Sequence, residues 1–374
     1  MNLCREDPAF VESYAQIFGA DLPHMDTVED LFRKLGTDGL EDIKAMMVRE
    51  LLRKKVFGDH KAPGGGIIVA VDGTGVATYD QDPGGSTSKT YKSGKISYFH
   101  YVLEAKIVTS SGLSISIATV WVENVGKDYD KQDCEQKAFV RLAAKLKKSF
   151  PRLGVCIAAD GLYPNATFFG ICRKNGWDFI VTLKDGNLPS VWEELNLRPK
   201  DPLQTHEIQE KIKLKRTYKW ATHIDYANHS LNWVECEEQT TDKDGDQRKC
   251  RFVHVTNLPL DRKTAPQVSN AGRLRWKIEN EGFKAQKHEG YNLGHKFSRV
   301  SFEAMKNYYQ CLQIAHMINQ LAIHSTTIQE ELDKPGKLTI KHLWKLLLQT
   351  FSAVGESKKD LRWDPGQRCQ IRLA

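Results

Sequence analysis

Two runs of consecutive apolar residues constrain this chain more than any other feature: IIVAVDG at 67–73 and VCIAADG at 155–161. Runs of that length, rich in β-branched and small residues, suit strands buried on both faces, and such a sheet needs helices on both sides. Before the second run, SYFHYVLEAKIVTSSGLSISIATVWVE reads as two strands joined at Ser110-Ser111-Gly112. Asp130 to Phe150 follows as an amphipathic helix with Phe139, Leu142, Ala143 and Leu146 on one face. After the second run come a helix from about Pro164 to Lys174 and the strand WDFIVTLKD. Three adjacent strands followed by alternating helix and strand predict an α/β sheet with helices on both faces.

The flanks read differently. Residues 1 to about 57 are helical in pattern, with Asp26-Thr27 capping a helix that carries Val28, Leu31, Phe32 and Leu35. A second helix runs from Leu40 to Phe57, and its basic end RELLRKKVF suits either a solvated terminus or a DNA contact. Residues 79–95 form a polar, turn-rich loop. From about 195 to 260, KIKLKRTYKW, THIDYA, LNWVECEE and CRFVHVTNL alternate as strands of a small β-rich unit, split by TTDKDGDQ. Helical periodicity returns at Thr264 and lasts until the polar tail from 356. The expected divisions are 1–60, 61–194, 195–260, 261–300 and 301–374.

Composition narrows the class. Hydrophobic content of 40% with 27% charged residues is that of a soluble globular protein, and no apolar run is long enough to span a membrane. No secretory signal is legible at the start, and the eight cysteines contain no C-x-x-C pair, so free thiols in a reducing cytoplasm are expected. A net charge of +7 points to a polyanionic partner. The GGG before the first strand lacks the G-K-[ST] of a nucleotide loop.

Both apolar runs end in Asp-Gly, at Asp72 and Asp160. Either dipeptide alone need only make a turn. Two carboxylates at strand ends of one sheet repel, however, unless a hard divalent cation bridges them. RWKIENEG at 275–282 supplies a third acid. On a helix Ala271, Leu274, Ile278 and Ala285 form an apolar stripe, and Glu279 lies at its flank beside Arg275. Glu281 falls on the stripe itself and is the alternative ligand if the helix is rotated; otherwise it pairs locally with Lys277 or Lys284. Three such carboxylates describe a two-metal phosphoryl-transfer site.

This constellation resembles the DDE transposases of bacterial insertion sequences. The resemblance covers residues 66–287 and includes RWKIE, similar to the group's Arg-Trp-x-Ile-Glu signature. It implies an RNase H-like mixed sheet flanked by helices, with a β-rich insertion and helical N- and C-terminal segments. It further implies Asp72, Asp160 and Glu279 as the catalytic triad on two Mg2+ or Mn2+ ions, with Arg275 on DNA phosphate. Lys284 and Lys287 would be further DNA contacts. The group's signature has a tyrosine three residues before the arginine, where this chain has Gly272, and a lysine seven past the glutamate, where it has Gln286. Lys284 and Lys287 each come one residue late, as if one residue were inserted within 280–282, which a π-bulge would absorb. KIKLKRTYKW, with Lys213, Lys215, Arg216 and aromatics at 218 and 220, suits either an exposed strand with solvated lysines or contact with a DNA backbone and stacking on a distorted end. The expected partners are terminal inverted repeats and target DNA, bound as a dimer in the bacterial cytoplasm at the nucleoid. A metal-dependent nuclease of the same fold, or a transposase-derived DNA-binding protein, are the competing readings.

Overall fold

The computed structural model describes residues 2–123, 134–198, 203–209, 212–242, 245–333 and 339–353. These divide into two compact units, Met1–Ile43 with Glu289–Ala374, and Lys44–His288. In the first, a short 3-10 turn at Asn2–Glu6 precedes α1 (Pro8–Phe18), which starts at a proline behind the Asp7 cap and stops at Gly19 in the left-handed conformation. Next come α2 (Met25–Lys34) and α3 (Thr37–Arg53). The cap of α2 is His24, whose ring accepts from the Asp26 N–H at 3.2 Å, and not the expected Asp26-Thr27 pair. The last part of α3 belongs to the second unit.

That second unit is built on one mixed sheet, formed among the described residues by ten strands. Its elements are β1 (Ile67–Tyr79), β2 (Thr87–Thr90), β3 (Ile96–Val108), β4 (Ser114–Val122), α4 (Glu135–Ser149), β5 (Val155–Ala159), α5 (Ala166–Asn175), β6 (Asp178–Thr182) and α6 (Pro189–Leu197). The insertion adds β7 (Leu203–Gln209), β8 (Ile212–Tyr226), β9 (His229–Thr241) and β10 (Gln247–Thr256). The strand order is β2-β3-β1-β5-β6-β10-β9-β8-β7, with β4 also on β3. Within it β4-β3-β1-β5-β6 is the expected RNase H-like core, antiparallel in its first three strands and parallel from β1 through β6. The apolar runs sit at its centre: Ile67 to Val71 and Val155 to Ala159 are all buried.

Three local expectations need correction. β1 does not end at Asp72 but continues to Tyr79, because β3 pairs with it as far as Tyr79↔Tyr98 after β5 has stopped. Residues 79–95 are not all loop, since β2 pairs with the start of β3. From Ile212 to Tyr226 the two expected strands of KIKLKRTYKW and THIDYA are one strand, β8, with an irregularity between Ala221 and Ile224. The insertion strands form no separate layer: β10 pairs antiparallel with β6, at His254↔Thr182, and extends the core sheet. The start of the expected helix at Asp130 and the polar tail lie outside the described residues.

One face of the sheet carries buried charge. Lys44 of α3 donates to Ser116 Oγ at 2.9 Å and Thr119 Oγ1 at 2.8 Å, and both hydroxyls donate in turn to Glu104. Lys106 lies beside them, its pKa pushed down to about 8 by burial against the pull of Glu104. Closing this side are α7 (Thr264–Arg273) and the helical turns that end in α8 (Ala285–His288). The first unit is completed by α9 (Phe302–Ile323), α10 (Thr326–Leu332) and α11 (Ile340–Ala353). There Asn307 of α9 donates to the carbonyls of Phe32 and Leu35, both at 2.9 Å, satisfying the end of α2. No helix among the described residues is long and apolar enough to cross a membrane.

Candidate active site

Pairing of β1 with β5 runs from Ile67↔Val155 to Ala70↔Ala158. Two residues past the last of these pairs, on the continuation of each strand, stand Asp72 and Asp160, beyond the point where the pairing stops. The glycine after each aspartate has a steric cause. A Cβ at Gly73 would lie 2.4 Å from the Tyr101 hydroxyl, and one at Gly161 would lie 2.7 Å from the Lys184 stem. At Asp160 the chain also turns, with Leu162 N–H on Oδ1 at 2.8 Å.

Glu279 arrives on a helix that is not regular. After α7 the chain tightens, with i to i−3 bonds from Leu274, Arg275, Lys277 and Ile278. It then widens into a π-helical segment, Ile278–Lys284, before α8. Arg275, nine-tenths buried, meets Asp72 Oδ2 at 3.4 Å and Glu279 Oε1 at 2.6 Å. The wide turn lies where the spacing of the lysines suggested an added residue. Gln286 is buried, while Lys287 reaches β1 and donates to Thr74 Oγ1 at 2.8 Å. Lys284 is exposed. Glu281 pairs with Lys277 at 2.5 Å and not with the aspartates. At Gly272 there is no room for the tyrosine of the signature: a Cβ would stand 2.6 Å from His254 Nε2 and 2.8 Å from Ile180 Cγ2.

The charges are balanced within the protein. Burial pushes the Asp72 carboxyl up to about 7, with Arg275 opposing and Glu279 and Glu135 adding to the rise. Lys184 Nζ stands 3.6 Å from Asp160. Burial lowers the Lys287 ammonium against the attraction of Asp72. Among the described residues no three carboxylate, imidazole or thiol groups yet enclose an ion, and Arg275 fills the space between Asp72 and Glu279. The donor set nevertheless fits a hard divalent cation, since it consists of carboxylate oxygens and places Asp72 where desolvation and like charge both oppose ionisation.

Residues 63–311, about two thirds of the chain, match the family model described as the transposase DDE domain. The chain belongs to this family. A search of curated proteins gives no significant match.

In this transposase several residues of the site lay beyond sequence reasoning. Lys184, two residues after β6, was not singled out, although the end of a strand next to β5 is where a ligand group is presented. Glu135 in the first turn of α4 accepts from the Tyr101 hydroxyl and, at 3.1 Å, from the Tyr163 hydroxyl. Burial first, and Glu135 next, raise both phenols, which stay protonated as donors. No sequence spacing links these three positions.

The basic strand differs from its expectation. Alternation along β8 sends Lys215 and Arg216 to opposite faces. Arg216 is committed to Glu238 at 2.9 Å, which Arg273 shares at 2.8 Å. Tyr218 is buried and is not presented for stacking. Lys215 is half-exposed opposite Gln239, and the Lys213 backbone pairs with Thr241.

Proposed function

We propose that this transposase cuts the ends of a DNA element and joins the freed 3′-hydroxyl to target DNA, using Asp72, Asp160 and Glu279. The observation that carries the reading is Arg275, which touches both Asp72 and Glu279 and so ties together carboxylates from distant parts of the chain. The three carboxylates would hold two Mg2+ or Mn2+ ions, which would supply charge neutralisation and activation of the attacking oxygen. The remaining work belongs to side chains. Arg275 keeps a buried Nε without a partner among the described residues, a donor suited to a phosphate oxygen. Lys287, braced on Thr74, and Lys184, lying over Gly161, add fixed positive charge on two sides of the aspartates. Lys284, Lys213 and Lys215 would track the DNA backbone further out, consistent with the +7 net charge. Synapsis of two ends calls for a dimer on DNA.

The test uses DNA carrying the element's ends with Mg2+. The parent should cut and join, Glu279→Gln should bind the ends yet do neither, and Glu281→Gln should keep most activity. Cutting by Glu279→Gln, or cutting in excess chelator, would defeat the assignment. A precut 3′-hydroxyl substrate distinguishes transposition from simple nuclease action, because a nuclease would leave it unjoined.

A further inference from the structure

One carboxylate at this site has no task in the three-acid scheme. Glu135 opens α4, and its two oxygens accept from phenols on two separate elements, Tyr101 on Oε1 and Tyr163 on Oε2. Both phenols belong to the surroundings of the aspartates. Tyr101 lies so close to Gly73 that no side chain fits there, and the Tyr163 N–H donates to the Asp160 carbonyl at 3.2 Å. A glutamate in the first turn of a surface helix ordinarily keeps its rotamer freedom. Here two hydroxyls fix it, and each carboxylate oxygen retains further acceptor capacity.

The sheet explains the placing. Side chains alternate along β1, so Asp72 shares a face with Thr74, the residue that Lys287 meets. Gly73 lies on the other face with Tyr101, which pairs in register with Gly75. Glu279 therefore approaches from the helix on one side and Glu135 from the helix on the other. Between them, past the last β1–β5 pair at Ala70↔Ala158, the two aspartates stand at the parting of the strands. Asp72 feels both glutamates.

We propose that Glu135 is a fourth carboxylate of this site, a positioning residue that steadies the divalent cation held by Asp72 and Asp160, with Tyr101 and Tyr163 as its supports. This rests on the assignment of Asp72, Asp160 and Glu279 given above.

The experiment is calorimetric titration of Mn2+ into the metal-free full-length chain, without DNA, together with its melting temperature in chelator. Glu135→Gln should weaken Mn2+ binding by about tenfold or more, the usual effect of removing a supporting group around a metal. Its metal-free melting temperature should be equal to the parent's or higher, which a purely structural role would not give. Tyr163→Phe should weaken binding less, and Asp160→Asn should abolish it. Glu135→Gln affinity within twofold of the parent, with Asp160→Asn inactive in binding, overturns the role of Glu135 alone. A parent that binds no Mn2+, or Asp160→Asn that binds like the parent, overturns the assignment of the triad and this inference with it. Should Glu135→Gln fail to fold, Glu135→Asp carries the test, since it keeps the charge but withdraws it: weaker Mn2+ binding supports the proposal and parent-like binding overturns it.

Discussion

Acid should weaken this fold through His254 in particular. The ring is buried beneath Gly272 of α7, and burial, then Arg273 and Arg275, push its pKa down from 6.5 to about 4. The folded protein therefore keeps His254 neutral over a range where the unfolded chain has already taken up a proton. Stability from this group is complete above about pH 6.5, falls as the pH drops towards 4, and changes no further below that. A depression of that size corresponds to about 3 kcal/mol. Urea unfolding of the parent and of His254→Gln between pH 7 and 4 isolates the effect, because the carboxylates titrate in both proteins. The parent should lose about 3 kcal/mol more than the variant over this range. Parallel pH dependence in the two would refute the argument and would mean that the site admits the charged ring.

Three further outcomes follow from the same geometry. Gly272→Ala should lower the melting temperature, because about 1–3 kcal/mol of overpacking against His254 and Ile180 outweighs the better helix propensity, and Gly272→Tyr should prevent stable folding; thermal unfolding checks both. Lys287→Met, which loses the contact with Thr74 of β1, should slow end cleavage on the order of tenfold or more in a single-turnover assay, whereas Lys284→Met should change it little. Lys215→Ala should reduce the slope of log affinity against log salt by roughly one unit without loss of stability, while Arg216→Ala, which leaves Glu238 with Arg273 alone, should instead lower the melting temperature.

The centre of the sheet was legible because its strands are continuous apolar runs, a pattern that few other structures tolerate. The spacing of four between Arg275 and Glu279 gave their proximity, and the late lysines gave the wide helical turn, now seen at Ile278–Lys284. The length of β1 was not legible. Its second half, GTGVATY, carries little apolar signal and is held by pairing with β3, a partner that local sequence does not reveal. Glu135 was hidden for a related reason, since its role depends on two tyrosines brought in by other elements. The two-faced character of Lys215 and Arg216 was within reach, because strand alternation alone predicts it.

The joining of β6 to β10 also has a consequence in time. Thr256 Oγ1 donates to the Phe179 carbonyl across 77 residues of sequence. At a synthesis rate of roughly 5–20 residues per second, the apolar edge formed by Phe179, Ile180 and Val181 waits on the order of 4–15 seconds for its partner strand. Glu279 emerges later still. Each newly made molecule thus passes through a stage with an open sheet edge, in which Arg275 and Glu279 have yet to reach Asp72. A chaperone that shields this edge would raise the yield of folded protein, and on the proposed triad a chain interrupted before residue 279 would lack one of its three carboxylates.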